Sequence, residues 1–164
     1  MSSQKSTAAV EPKRARGRAR VEAILLAASR VFAEQGYDRA TMTEIAARSS
    51  TAIGSLYRFF PTKETVGEAL LERFHGGFAV AFDDVADRAT TLGPRTLADA
   101  LVRAFRGSTS ADLRAGVMAV LEGRGDVDQI RRDFRARRRK QIARILRRAN
   151  ASLDPQDAQA RAAV

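Results

Sequence analysis

The chain has 164 residues, of which 45% are hydrophobic and 29% charged, with a formal net charge of +10, one histidine and no cysteine. That length suits one domain, or a small domain joined to a modest helical core. The missing cysteine excludes disulfides, thiolate zinc sites and a cysteine nucleophile. With no run of 18 apolar residues, neither a membrane span nor a secretory signal is expected.

The positive charge lies in two blocks. Lys13, Arg14, Arg16, Arg18 and Arg20 form the first; Arg131 to Arg148, with Arg135, Arg137, Arg138, Arg139, Lys140 and Arg144, form the second. Such fields attract polyanions, although an arginine-rich helix face is also ordinary solvated surface. Met1 to about Pro12 is polar and aperiodic, so residues 1–17 are expected to be a disordered basic arm. This arm either lies along phosphates or floats free.

A first helix is expected from Arg18 to Gln35. Val21, Ile24, Leu25, Ala28, Val31 and Phe32 recur at helical spacing, with Glu22, Arg30 and Glu34 opposite. Gly36 suits the left-handed position that ends it. Thr41 with Glu44 reads as a capping box opening a second helix. Ser49, Ser50 and Thr51 favour a turn over a helix interior. A third helix then starts near Thr51, which serves as its cap, and Pro61 closes it. Its apolar stripe is Ile53, Leu56, Tyr57 and Phe60. Two helices of about two turns joined by a short turn outline a helix-turn-helix, whose second helix enters a DNA major groove.

From about Arg18 to Phe74 the sequence resembles the DNA-binding region of the TetR family of bacterial transcriptional regulators. Phe32, Gly36-Tyr37, Thr41, Ile45-Ala46-Ala47-Arg48, Gly54, Leu56-Tyr57, Phe60-Pro61 and Lys63-Glu64 carry the likeness, in order and at the right spacing. It implies an all-α fold: a three-helix DNA-binding domain at 18–62, then a helical ligand-binding and dimerisation domain at 63–164, short of the family's closing helix. It also implies a repressor released by a small-molecule effector, a homodimer on a near-palindromic operator in duplex DNA, and a bacterial cytoplasmic location, on the nucleoid when bound.

Within the motif, Ile45, Ala46, Leu56 and Phe60 are expected in the core. The DNA-facing set is Thr41, Thr43, Thr51, Gly54, Ser55, Tyr57, Arg58, Phe59 and Lys63. Gly54 either admits a close approach to the duplex or packs on the first helix. Arg58 either bridges guanine O6 and N7 or holds a phosphate. Phe59 stands where the family often has His or Tyr, and its ring suits a thymine methyl. Thr43 and Thr51 are short donors beside helix N-termini. Phosphate roles for Tyr57 and Lys63 follow from the resemblance. The chain departs from the family pattern at Ser50, often Gly, at Ala52, often Ser, and at Ile53, often Lys.

A fourth helix, capped by Thr62, is expected from Lys63 to about Arg88, with Gly76-Gly77 as a point of bending. Helices follow from Thr96 to Arg106, burying Leu97, Leu101 and Phe105, and from Ser110 to Glu122. A long one runs from Val127 to about Ala149, and a last one opens at Gln156 behind Asp154-Pro155. Phe74, Phe78, Phe82, Phe105, Met118 and Phe134 are the effector-binding candidates, the alternative being plain core packing. His75 belongs on the surface or at a pocket rim. An enzyme is not expected, because there is no phosphate loop and no paired metal motif; neither a metal nor a cofactor is called for. The competing reading is a nonspecific polyanion-binding or scaffold protein using the Arg131–Arg148 helix.

Overall fold

A computed structural model describes residues 10–125 and 127–163, and among these every regular element is helical. Eight α-helices follow one another: α1 (Val10–Gln35), α2 (Met42–Arg48), α3 (Ile53–Phe59), α4 (Lys63–Arg88), α5 (Pro94–Gly107), α6 (Ala111–Glu122), α7 (Val127–Ala149) and α8 (Pro155–Arg161). A 3-10 turn at Ala89–Thr91 links α4 to α5.

The punctuation is local chemistry. Gly36 ends α1 at φ +80°, where a side chain would be strained. Thr41 caps α2 by accepting from the Glu44 amide at 3.2 Å. The reciprocal half of that expected capping box is absent, because the Glu44 carboxylate is taken by Gln35 and Arg48. The complete box occurs at α4 instead, where Thr62 and Thr65 exchange hydroxyl and amide at 3.3 Å each way. Ser110 and Asp154 cap α6 and α8.

Two expectations are corrected. The helix expected from Arg18 begins at Val10, so residues 10–17 continue α1 rather than forming an arm; residues 1–9 lie outside the described residues. Thr51 does not cap α3. Ala52 holds that position without a side-chain bond, while the Thr51 hydroxyl donates to the Ser49 carbonyl at 3.2 Å. α4 remains helical through Gly76-Gly77. At Gly77 a Cβ would lie 2.5 Å from the Ser108 carbonyl oxygen, so its role is to admit the α5–α6 connection.

One hydrophobic core runs through both halves of the chain, from Ile24, Val31 and Phe32 of α1 through Ile45, Leu56 and Phe60 of the motif to Leu70, Phe82, Val117, Val120 and Ile145. α1 packs on α2, but its most extensive partner is α6. There a Cβ on Gly116 would stand 2.5 Å from the Ser29 Cα and carbonyl oxygen. The two helices therefore touch backbone to backbone with no slack. On the other flank α7 lies along α4, with Arg137 opposite Glu72 at 3.8 Å, Arg144 paired with Asp83, and Arg148 opposite Asp87 at 3.2 Å. The small helix α8 rests on α7 through Ala143, Ala158 and Ala162.

Candidate nucleic-acid interface

The two short helices α2 and α3 are held from behind. Ile45, Ala46, Leu56 and Phe60 are buried in the shared core, as their spacing predicts. The turn between them passes through Ser50 at φ +50°, the left-handed region that a glycine would occupy without strain. Arg20 of α1 donates to the Ser50 carbonyl at 3.3 Å, tying the basic start of α1 to this turn. Arg16 and Arg18 are exposed nearby in sequence on the same helix.

The outer face of α3 is open. Gly54, Tyr57 and Arg58 are exposed and Ser55 is half-buried. A Cβ at Gly54 would meet nothing within 4 Å, so no packing contact with α1 or any other helix calls for a glycine there. Arg58 makes no ion pair among the described residues; its guanidinium sits 5.5 Å from the centre of the Phe59 ring. Ile53 is 42% and Tyr57 48% exposed, so the expected apolar stripe shrinks to Leu56 and Phe60. At the N-terminus of α2, Thr41 and Thr43 are exposed.

The remaining members of the expected set are differently placed. Thr51 is 6% exposed and its hydroxyl is engaged, so it stands apart from the open face. Phe59 is half-buried against the core, leaving only part of its ring to the outside. Lys63 donates from Nζ to the Tyr37 and Asp38 carbonyls at 2.8 and 3.0 Å and lies 4.7 Å from the Tyr37 ring centre. An ammonium has three donors, which leaves one for a phosphate.

A second site lies among α4, α5, α6 and α7, where a cavity of about 320 Å³ is walled by Phe74, Phe78, Phe105, Met118 and Phe134. Five of the six effector candidates thus meet around one space. Phe82 does not: it is 1% exposed in the core and borders a neighbouring depression with Val102 and Ile142. Phe105, expected to be buried, is 44% exposed because α5 turns it toward the cavity. Ring contacts knit the wall, with Phe74 and Phe134 at 5.6 Å and Phe78 and Phe105 at 5.3 Å. His75 stacks on Phe134 at 4.8 Å on the rim. Burial, with a smaller push from Arg137, holds its pKa below the ordinary histidine value, so it is neutral at neutral pH.

Residues 24–70 match the family model for bacterial regulatory proteins, tetR family. The matched stretch spans the helix-turn-helix and parts of the helices on either side, so this part of the chain is similar to that family. No curated protein matches its sequence. Three solved structures share its fold. A SmeT–triclosan complex has a TM-score of 0.63 and 24% identity over 88% of this chain and 73% of that one. A structure addressing the control of antibiotic production by a bacterial hormone has a TM-score of 0.62 and 22% identity, covering 87% and 79%. A TetR-like transcriptional regulator from Rhodococcus sp. RHA1 has a TM-score of 0.60 and 20% identity, covering 88% and 91%. The TetR family is one of DNA-binding regulators rather than enzymes, and no described helix is long and apolar enough to cross a membrane.

Two functional features escaped the sequence reading. Ile53 falls on the apolar stripe by its helical spacing, yet it opens the exposed face of α3. The departure from lysine at that position was the available signal. The arginines around the cavity, Arg106, Arg114, Arg131 and Arg138, are scattered over three helices and converge only in the fold.

Proposed function

We propose that this chain is a sequence-specific regulator of transcription that binds duplex DNA as a homodimer and is released as a repressor by a small molecule. The observation that carries this reading is the two-sidedness of α3. Leu56 and Phe60 fix it to the core, while Gly54, Tyr57 and an Arg58 without an ion-pair partner among the described residues face outward. In this reading residues 18–62 are the DNA-binding unit and 63–164 the ligand-binding and pairing unit. Arg58 reads a base edge; Thr41, Thr43, Ser55, Tyr57 and the third donor of Lys63 hold phosphates. The Gly54 backbone lies against the duplex, and Arg16, Arg18 and Arg20 add phosphate attraction from α1.

The route from effector to DNA is supported by α6. Its Val117, Met118 and Leu121 wall the cavity, while Gly116 is seated on Ser29 of α1. A ligand that displaces α6 drags α1, and with it the reading helices, changing their spacing in the dimer. That a fold relative is solved with triclosan fits a small-molecule effector. The polyanion-scaffold alternative is weakened by the pairing of Arg137, Arg144 and Arg148 with α4 carboxylates.

Selection of bound duplexes from a random pool tests the proposal. The expected product is a half-site repeated with a centre-to-centre spacing of ~34–36 Å, one helical turn. Arg58→Ala should weaken binding to the selected duplex by ~1–3 kcal/mol and leave scrambled duplex unaffected. A pool that shows no enrichment refutes sequence-specific recognition.

A further inference from the structure

The arginines along the α4–α7 seam and those around the cavity have different partners. Along the α4–α7 seam each of Arg137, Arg144 and Arg148 faces its own carboxylate. Around the cavity the pattern reverses. Arg106, Arg114, Arg131 and Arg138 border it, no acidic side chain lines it, and none of the four is in an ion pair among the described residues. Arg114 is steadied by donating from Nη2 to the Arg106 and Thr109 carbonyls at 3.3 and 3.5 Å. Arg138 is half-buried, with its guanidinium 4.6 Å from the Phe134 ring centre and 4.9 Å from that of Phe105. Stacking on two rings holds a guanidinium in place while leaving its edge donors free.

Of these four, Arg138 is half-buried and so gives up part of its hydration, a cost that an anion bound against it offsets. The interior of the cavity, by contrast, is ring and aliphatic surface. Its volume of about 320 Å³ lies at the small end of ligand pockets, enough for a ring system and a short head group.

Building on the regulator reading above, we infer that the effector is an apolar, ring-bearing organic anion, its rings among Phe74, Phe78 and Phe134 and its carboxylate, sulfonate or phosphate head at the arginine rim. Arg138 is the residue that joins the two parts, held over the Phe105 and Phe134 rings and offering the head group a pair of N–H donors.

The test uses the full chain and two fluorescent probes with one skeleton: 1-anilinonaphthalene-8-sulfonate, and N-phenyl-1-naphthylamine, which lacks the sulfonate. The sulfonate should bind about tenfold more tightly or better, the weight of one charge-assisted hydrogen bond. Arg138→Gln and Arg131→Gln should remove most of that preference and leave the affinity for the amine nearly unchanged. Arg147→Gln, on the far part of α7, should alter neither probe, and Met118→Trp, which fills the cavity, should abolish binding of both. Equal affinities for the two probes overturn the inference. So does a sulfonate preference that survives Arg138→Gln, or sulfonate binding that persists in Met118→Trp. A parallel measurement on the selected duplex separates the two readings. Sulfonate binding at the rim without any duplex binding sinks the regulator reading and keeps the anion site; duplex binding without anion preference does the reverse.

Discussion

Replacing Gly54 by alanine separates folding from DNA recognition at one atom. The new methyl would meet nothing within 4 Å inside the protein, and Gly54 does not have the positive φ that strains a side chain. Inside the protein, then, only helix propensity changes. Alanine is favoured over glycine by about 0.5–1 kcal/mol in a helix interior, and the second position of α3 places the gain near the lower end. A gain of about 0.5 kcal/mol raises the melting temperature of a chain this size by about 1–2 °C. On DNA the sign reverses. If the α3 backbone lies against the duplex, the methyl occupies space already filled, and overpacking of that kind costs about 1–3 kcal/mol. Gly54→Ala should therefore melt slightly later and bind the selected duplex roughly five- to 150-fold more weakly, read by calorimetry and fluorescence anisotropy. A variant that melts later yet binds with wild-type affinity would remove Gly54 from the interface and refute the close-approach argument.

The same substitution at Gly116 should have the opposite effect on folding. Its methyl would stand 2.5 Å from two backbone-linked atoms of Ser29, so Gly116→Ala should lose about 1–3 kcal/mol in urea unfolding, and wild-type stability would mean that α1 and α6 can part freely. Ser50→Gly should relieve a left-handed serine, for which about 1–2 kcal/mol of strain is offset by the greater freedom of glycine when unfolded. A net gain of about 0.5–1 kcal/mol at constant m-value is expected, and a lower urea midpoint would contradict it. Lys63→Ala should cost about 1–2 kcal/mol of stability through the lost bonds to the Tyr37 and Asp38 carbonyls. It should also make the salt dependence of DNA binding shallower by about one unit; a lower stability with an unchanged slope would leave Lys63 as a staple only.

Much of this was written locally. The order and ends of the helices follow from spacing and caps that act within four residues, as at Gly36, Thr62, Ser110 and Asp154. Those signals are short-range, so the sequence alone gave α4, α7 and the helix-turn-helix almost to the residue, and the motif residues pointed to the TetR family. Where they failed, a neighbour outside the segment had intervened, as when Gln35 and Arg48 drew Glu44 away from its cap.

What the tertiary structure decided is which side of each helix is covered, and by what. Spacing put Ile53 and Tyr57 on the same stripe as Leu56, but a helix of seven residues has too little surface for its own pattern to say where cover stops, and the core closes over Leu56 alone. Gly54 and Gly116 look alike in the chain; one faces open space and the other a neighbouring backbone. Phe82 and Phe105 share a spacing pattern with their helices, yet one is sealed in the core and the other walls a cavity. The arginines of α7 are indistinguishable in sequence until α4 supplies carboxylates to three of them and aromatic rings receive a fourth. Charge pairing and burial are properties of contacts between distant segments, and only packing brings those segments together.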